Sequence, residues 1–259
     1  MHDTIVVIKI GSNILTTEEG KLDLNNLRGL INQMTAELSK DHFKIIVVTS
    51  GAIACGSEKI QCETDTIPER QASASVGQIL LMNEYATFFG FKGFSVGQIL
   101  LTKEDFINPV TRRNVRNTIS TLLSHDVVPI INENDSVATD EIDYRFDDND
   151  DLSSRVAILV NAKRLLLLTD TEGLYTANPQ KSATASLIDT VETITDAIVD
   201  LTEVTQSRKS RGGMRSKILS AKRAQQEGIE VIIANGRRKD VIHSIFANEK
   251  IGTRILPQK

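Results

Sequence analysis

Tryptophan is absent from this sequence and tyrosine occurs only three times, so a platform of aromatic rings for stacking unpaired bases is not expected. A basic surplus is missing too. The 30 Lys and Arg stand against 34 Asp and Glu, a net charge of −4, which argues against a nucleic-acid footprint. No apolar run reaches the roughly 20 residues that span a bilayer, and the N-terminus lacks the pattern of a secretory leader. No membrane association is expected. The two cysteines, Cys55 and Cys62, read as free thiols of a reducing cytoplasm, with a disulfide between them left open. The four histidines, His2, His42, His125 and His243, are scattered, and none pairs with Cys or Glu at ligand spacing. A metal site built from protein ligands is therefore not expected. Neither a Walker A sequence nor Gly-x-Gly-x-x-Gly occurs, which removes P-loop and Rossmann readings. No Ser/His/Asp order suggests acyl transfer.

What is present is an alternation of short β-rich apolar runs with helical periodicity. Strands are expected at 4–10, 43–49, 127–131, 165–168, 229–234 and 252–256. Helices are expected at 23–38, with Asp23 as N-cap, at 66–89, opened by Thr66-Ile67-Pro68-Glu69, and at 111–124, 152–162, 191–203 and 240–247. A further helix follows Gly212-Gly213. This order predicts an α/β fold with a mostly parallel sheet. With no Pro/Gly-rich linker to divide it, the chain reads as one domain over 1–259. Ser-Val-Gly-Gln-Ile-Leu-Leu occurs twice, at 75–81 and 95–101. The first copy lies within a helical pattern, whereas the second follows Gly90 and Gly93 and leads to Thr102 as a strand would. One heptapeptide is thus expected in two conformations.

The polar groups gather after strands. Val127-Val128-Pro129-Ile130-Ile131 runs into Asn132-Glu133-Asn134-Asp135. An acidic stretch, Asp147 to Asp151, is expected as a loop before the helix at 152, and Leu165–Leu168 ends in Thr169-Asp170. Ligands of open α/β sheets sit beyond the carboxyl ends of strands, where these side chains fall. Lys9 interrupts the first strand just before Gly11-Ser12-Asn13. It is either a snorkelling edge lysine or one held near an anion at the strand end. Ser50-Gly51-Ala52 ends the second strand in a turn where backbone can approach a ligand, and a helix starting there would offer free N–H groups. Arg112, Arg113 and Arg116 are read as a solvated helix face. The basic run from Arg208 to Lys217, built around Gly212-Gly213, suits a polyphosphate. Two lysines near small-residue turns, with carboxylates at strand ends, are the parts that phosphoryl transfer requires.

These residues also carry a resemblance. Val-Ile-Lys-Ile-Gly-Ser (7–12), Val-Val-Thr-Ser-Gly-Ala-Ile-Ala (47–54), Ile-Asn-Glu-Asn-Asp (131–135), Asp-Asn-Asp (148–150), Leu-Leu-Leu-Leu-Thr-Asp (165–170), Gly-Leu-Tyr-Thr-Ala-Asn-Pro (173–179) and Gly-Gly-Met (212–214) before Lys217 closely resemble the glutamate 5-kinase family of the amino acid kinase superfamily. The resemblance is collinear and nearly full-length. It implies a three-layer α/β/α sandwich, with an amino-acid lobe over about 1–160 and a nucleotide lobe over about 161–259. It implies ATP-dependent phosphorylation of the γ-carboxylate of L-glutamate, with Mg²⁺ bridging the nucleotide phosphates, as the first step towards proline. Other superfamily kinases, for N-acetylglutamate, aspartate, carbamate or UMP, and a silent amino-acid sensor are the alternatives.

By the same resemblance, Lys9 and Lys217 stabilise the moving phosphoryl group and Asp150 positions both. Gly11, Ser12, Ser50, Gly51 and Ala52 contact the γ-phosphate and the reacting end of glutamate. Asn134, Asp135 and Asn149 hold the amino-acid end. Thr169, Asp170, Arg211, Gly212, Gly213, Met214 and Lys217 bind the nucleotide. Arg211 stands where the family commonly has Thr, and Asn178 where it commonly has Asp. Proline as feedback inhibitor, a functional link to γ-glutamyl phosphate reductase, a homo-oligomer and a cytoplasmic setting are implied in the same way. The PUA domain of many family members is not expected, since the kinase pattern runs to Lys259.

Overall fold

The computed structural model describes residues 4–17, 19–40, 42–137, 148–179, 182, 184–203 and 213–258. The elements run β1 (Thr4–Ile10), α1 (Ser12–Leu15), α2 (Leu24–Leu38), β2 (Phe43–Val48), α3 (Ala52–Ile60), α4 (Ile67–Gly90), β3 (Ser95–Leu101), α5 (Glu104–Ile107), α6 (Pro109–Ser124), β4 (Val127–Glu133), α7 (Asn149–Leu159), β5 (Arg164–Thr169), β6 (Thr190–Val191), α8 (Asp196–Glu203), α9 (Met214–Gln226), β7 (Glu230–Asn235), α10 (Val241–Phe246) and β8 (Thr253–Ile255). Among the described residues the strands form one eight-stranded sheet in the order β3-β4-β2-β1-β5-β7-β8-β6. All pairs are parallel except β7 with β8.

Both faces of this sheet are covered, which is why its central strands are near-continuous apolar runs. On one face Val6, Ile8 and Ile10 pack with Leu27, Leu30, Ile31 and Met34 of α2, with Leu81, Tyr85 and Phe89 of α4, and with α10. On the other, Val7, Ile46 and Val48 pack with Ile119 of α6, Leu152 and Val156 of α7, and Ile218 and Ala221 of α9. The result is the expected three-layer sandwich.

Local chemistry sets the ends of these elements. The Asp23 carboxylate accepts from Asn26 N and caps α2. Thr66 and Glu69 exchange hydrogen bonds in a capping box that opens α4. The repeated heptapeptide is helical at 75–81 and a strand at 95–101, where it pairs with β4 from Ser95↔Val127 to Leu101↔Glu133. The capping box drives the first copy, and pairing with β4 drives the second.

Several boundaries differ from expectation, among them β4, which runs on to Glu133, and α7, which ends at Leu159. Asn149, Asp150 and Asp151 form the first turn of α7 rather than a loop, because Asp148 caps the helix by accepting from Asp150 N and Asp151 N. Val191 belongs to β6 and pairs with Ile255, so the helix expected from 191 begins only at Asp196. α6 starts at Pro109, since Asn108 accepts from Val110 N and Thr111 N. Arg112, Arg113 and Arg116 are exposed, as a solvated face requires. Cys55 and Cys62 are both free, and burial, with Glu58 adding to it, pushes the Cys55 thiol up to about 11. No described helix is long and apolar enough to cross a membrane.

Candidate active site

Because β4, β2, β1 and β5 are mutually parallel neighbours, their carboxyl ends share one edge of the sheet. Lys9 lies in β1 on the face that packs against α7 and α9, in register with Val48 and Leu167. It is not a snorkelling edge residue: only 4% of it is exposed. Its Nζ is 2.6 Å from Asp150 Oδ1, while Lys217 Nζ of α9 is 3.0 Å from Asp150 Oδ2. Asp150 is fully buried. Burial alone would raise its pKa, but the charges of Lys9 and Lys217 and their hydrogen bonds win and hold the carboxyl below the ordinary range. One ionised carboxylate thus holds two ammonium groups in a water-poor setting.

Small residues keep the space around this trio open. A Cβ added at Gly11 would lie 3.6 Å from Lys9 Nζ and 3.3 Å from Leu168 O. Gly51 sits at φ +93° as N-cap of α3, a left-handed backbone that side chains rarely adopt. Ser50 is buried, and its Oγ accepts from Asn149 Nδ2 at 3.0 Å. The Asn149 carbonyl oxygen is buried without a partner. Ser50, Gly51 and Ala52 therefore join Asn149 and Asp150 at the edge, although 99 residues separate Ser50 from Asn149.

Asn134 and Asp135 follow β4, with Asn134 N donating to Leu101 O, and both are half-buried. After β5, the Thr169 hydroxyl donates to Asp170 Oδ1, and Asp170 Oδ2 accepts from Asn13 Nδ2 at 2.9 Å. Asp170 thereby meets the turn that holds Gly11 and Ser12. Gly213 is the N-cap of α9 and Met214 its first residue. Arg211 and Gly212 lie outside the described residues. Among those described, no group of three His, Cys, Asp or Glu side chains is placed to hold a metal ion.

Three contributors were not legible as site residues. Asp148 caps α7 beside the trio. Burial, and then the charge of Asp150, push it up to about 6 against the opposing pull of Lys9, the Ser216 hydroxyl and Lys217. Its signal in the sequence is an Asp immediately ahead of an apolar-periodic run. Arg237, after β7, donates to Asp23 Oδ2 at 3.0 Å, Asn13 O at 2.8 Å and Thr16 O at 2.7 Å. It clasps α1 at both ends, and nothing local in the sequence marks it. Gln78 of α4, buried beside Asn132, is the third.

The fit to a nucleotide triphosphate rests on this geometry. Two cations, the start of α9 and a cradle at Gly11 that a side chain would fill are what phosphate oxygens need.

Residues 4–235 match the Amino acid kinase family. The glutamate 5-kinase of Clostridium acetobutylicum is 42% identical over 255 residues, covering 98% of this chain and 94% of that protein. The glutamate 5-kinase of Syntrophus aciditrophicus is 43% identical over 98% of this chain, which spans 66% of that protein's length. Among solved structures, UMP kinase from Bacillus anthracis superposes with TM-score 0.66 at 14% identity, covering 99% of this chain and 97% of that one. An isopentenyl phosphate kinase of T. acidophilum superposes with TM-score 0.63 at 16% identity, covering 97% and 100%.

Proposed function

This chain belongs to the amino acid kinase family and groups there with the glutamate 5-kinases, and on that footing we propose that it transfers the γ-phosphoryl group of ATP to the γ-carboxylate of L-glutamate. The observation that carries this reading is the buried carboxylate of Asp150 between Lys9 and Lys217. ATP supplies the phosphoryl group, with Mg²⁺ on its phosphates. A carboxylate oxygen of glutamate bonds to phosphorus as the bond to the ADP oxygen breaks. The acceptor is ionised at neutral pH, so no general base is needed. A site whose central carboxylate is pinned between two lysines suits that demand: Asp150 orients, and the lysines neutralise charge on the moving group.

In this reading Ser50, Gly51 and Ala52 meet the reacting carboxylate, and Gly11 and Ser12 lie against the γ-phosphate. Thr169, Asp170, Gly213 and Met214, with Arg211 and Gly212, serve the nucleotide. Asn134, Asp135 and Asn149 take the amino-acid end, Asp135 as acceptor for the ammonium. The first half of the chain then acts as the amino-acid lobe and the second as the nucleotide lobe. The product is the acyl phosphate that opens proline synthesis. Its lability favours a reductase close at hand, and a homo-oligomer in the cytoplasm, inhibited by proline, completes the proposal.

The test is a coupled assay of ADP release with glutamate against N-acetylglutamate, aspartate, carbamate and UMP. Glutamate is expected to exceed N-acetylglutamate by about 10³-fold or more in kcat/KM, the scale reached when a polar group loses its partner. Equal turnover of the acetylated acceptor removes the assignment of the substrate and of Asp135.

A further inference from the structure

Gln78 carries a hydrogen-bonding capacity that the fold leaves half used. The chain of bonds that orients it starts at the backbone. Glu133 N donates to Asn132 Oδ1 at 2.9 Å, which turns the Asn132 amide so that Nδ2 faces α4. Asn132 Nδ2 donates to Gln78 Oε1 at 2.9 Å. Gln78 Oε1 must therefore be the acceptor, and its Nε2 is the end left over. That Nε2 is buried without a partner, in a residue only 8% exposed. A buried amide donor without an acceptor is costly, and such groups are retained where a ligand supplies the acceptor.

The fold brings Gln78 to the site edge from two directions. Gly77 packs so closely on the start of α3 that a Cβ there would lie 1.8 Å from Ala52 O. Tyr85, two turns further along α4 on the same face, meets the Thr49 hydroxyl at 2.9 Å, one residue before Ser50. Thr49 N in turn donates to Ile131 O, next to Asn132. Gln78 thus follows the α4 residue that packs on Ala52, and it is bonded to Asn132, next to the Ile131 carbonyl that Thr49 N meets.

We propose that Gln78 Nε2 donates to the α-carboxylate of the amino-acid substrate and is a specificity-determining residue of this kinase. The inference rests on the glutamate reading above. An N–H donor cannot accept the α-ammonium, and the γ-carboxylate is required at Lys9 and Lys217. The α-carboxylate is the acceptor that remains.

Gln78→Glu isolates the donor, because an oxygen is kept for Asn132 Nδ2 while the free NH₂ becomes a carboxylate oxygen. At pH 8 the KM for glutamate should rise about 30–100-fold, with kcat and the KM for ATP within about threefold, as for lost uniform binding. Lowering the pH towards 6 should bring the KM back as the introduced carboxyl takes up a proton and becomes a donor. Gln78→Met should raise the KM about tenfold with no such pH dependence. It should also narrow the preference for glutamate over 4-aminobutyrate, which has no α-carboxylate. A wild type active on glutamate whose Gln78→Glu variant keeps its KM at pH 8 overturns this inference alone. If that variant does not fold, an unmoved KM and an unmoved preference in Gln78→Met overturn it. A wild type inactive on glutamate but active on another acceptor removes the substrate reading and this inference with it.

Discussion

Lys9 Nζ lies 2.6 Å from Asp150 Oδ1, an ion pair between the central strand and the first turn of α7. Lys217 takes the other carboxylate oxygen. Removing either lysine leaves Asp150 one counter-charge, whereas removing Asp150 takes a hydrogen-bonded counter-charge from two buried lysines at once. Lys9→Ala and Lys217→Ala should therefore fold and lose about 10²–10³ in kcat, the loss expected for one electrostatic donor. Asp150→Ala should lose activity and also about 3–5 kcal/mol of stability. Steady-state kinetics alongside denaturant titration separate the two patterns, and near-wild-type turnover in a lysine variant would exclude that lysine from transfer.

Arg237 reaches both ends of α1 and the Asp23 cap with one guanidinium. Since α1 follows Gly11 directly, the clasp fixes the turn proposed to lie against the phosphates. Arg237→Ala should raise the KM for ATP about tenfold while leaving the KM for glutamate unchanged, and Arg237→Lys should not rescue it, because an ammonium cannot span three acceptors in a fixed fork. Equal effects on both KM values would make Arg237 a general support of the fold.

Asp148 adds a pH dependence of stability. Its folded-state pKa of about 6 lies above the ordinary 3.8, so the folded chain holds this proton more tightly than the unfolded one. Its contribution is fullest below 3.8 and declines as the pH rises to about 6. Asp148→Asn keeps the cap acceptor and removes the charge. Relative to wild type, it should gain about 1–2 kcal/mol between pH 4 and pH 7, allowing for partial exposure. Parallel wild-type and variant curves across that interval would place the carboxyl in water.

α3 and α4 touch backbone to backbone. A Cβ at Gly56 would come 1.7 Å from Ser73 O, whereas nothing lies within 4 Å at Gly90. Gly56→Ala should cost about 3 kcal/mol, the upper part of the range for overpacking. It should also raise the KM for glutamate, because Ala52 and Gln78 ride on that crossing. Gly90→Ala, open and helical, should stabilise by about 0.5–1 kcal/mol. Thermal melts of the pair test this, and a harmless Gly56→Ala would contradict the close crossing.

Much of this architecture can be read along the chain, because its signals are local. Asp23 and the Thr66–Glu69 box announce their helices, and the runs at 4–10 and 165–168 announce central strands. The paired heptapeptide is assigned correctly only through its flanks, since its own residues are the same in both states. Where the signal is not local, reading fails. The acidic run at 147–151 looks like a loop until Asp148 is seen as a cap. Val191 is drawn into a strand by Ile255. Gln78 looks like one more residue of an amphipathic helix, and Arg237 like surface charge, because each takes its role from partners far away in sequence.

The order in which the trio leaves the ribosome has a consequence for the newborn chain. Lys9 belongs to the first strand synthesised, which ends up flanked by β2 and β5 in the middle of the sheet. At roughly 5–20 residues per second, Asp150 follows Lys9 by about 7–28 s, and Lys217 follows several seconds later. Until then an ammonium group in the nascent core has no counter-ion and resists leaving water. The earliest strand thus waits for residues from the second half of the chain, and the nascent chain passes most of its synthesis with its centre open.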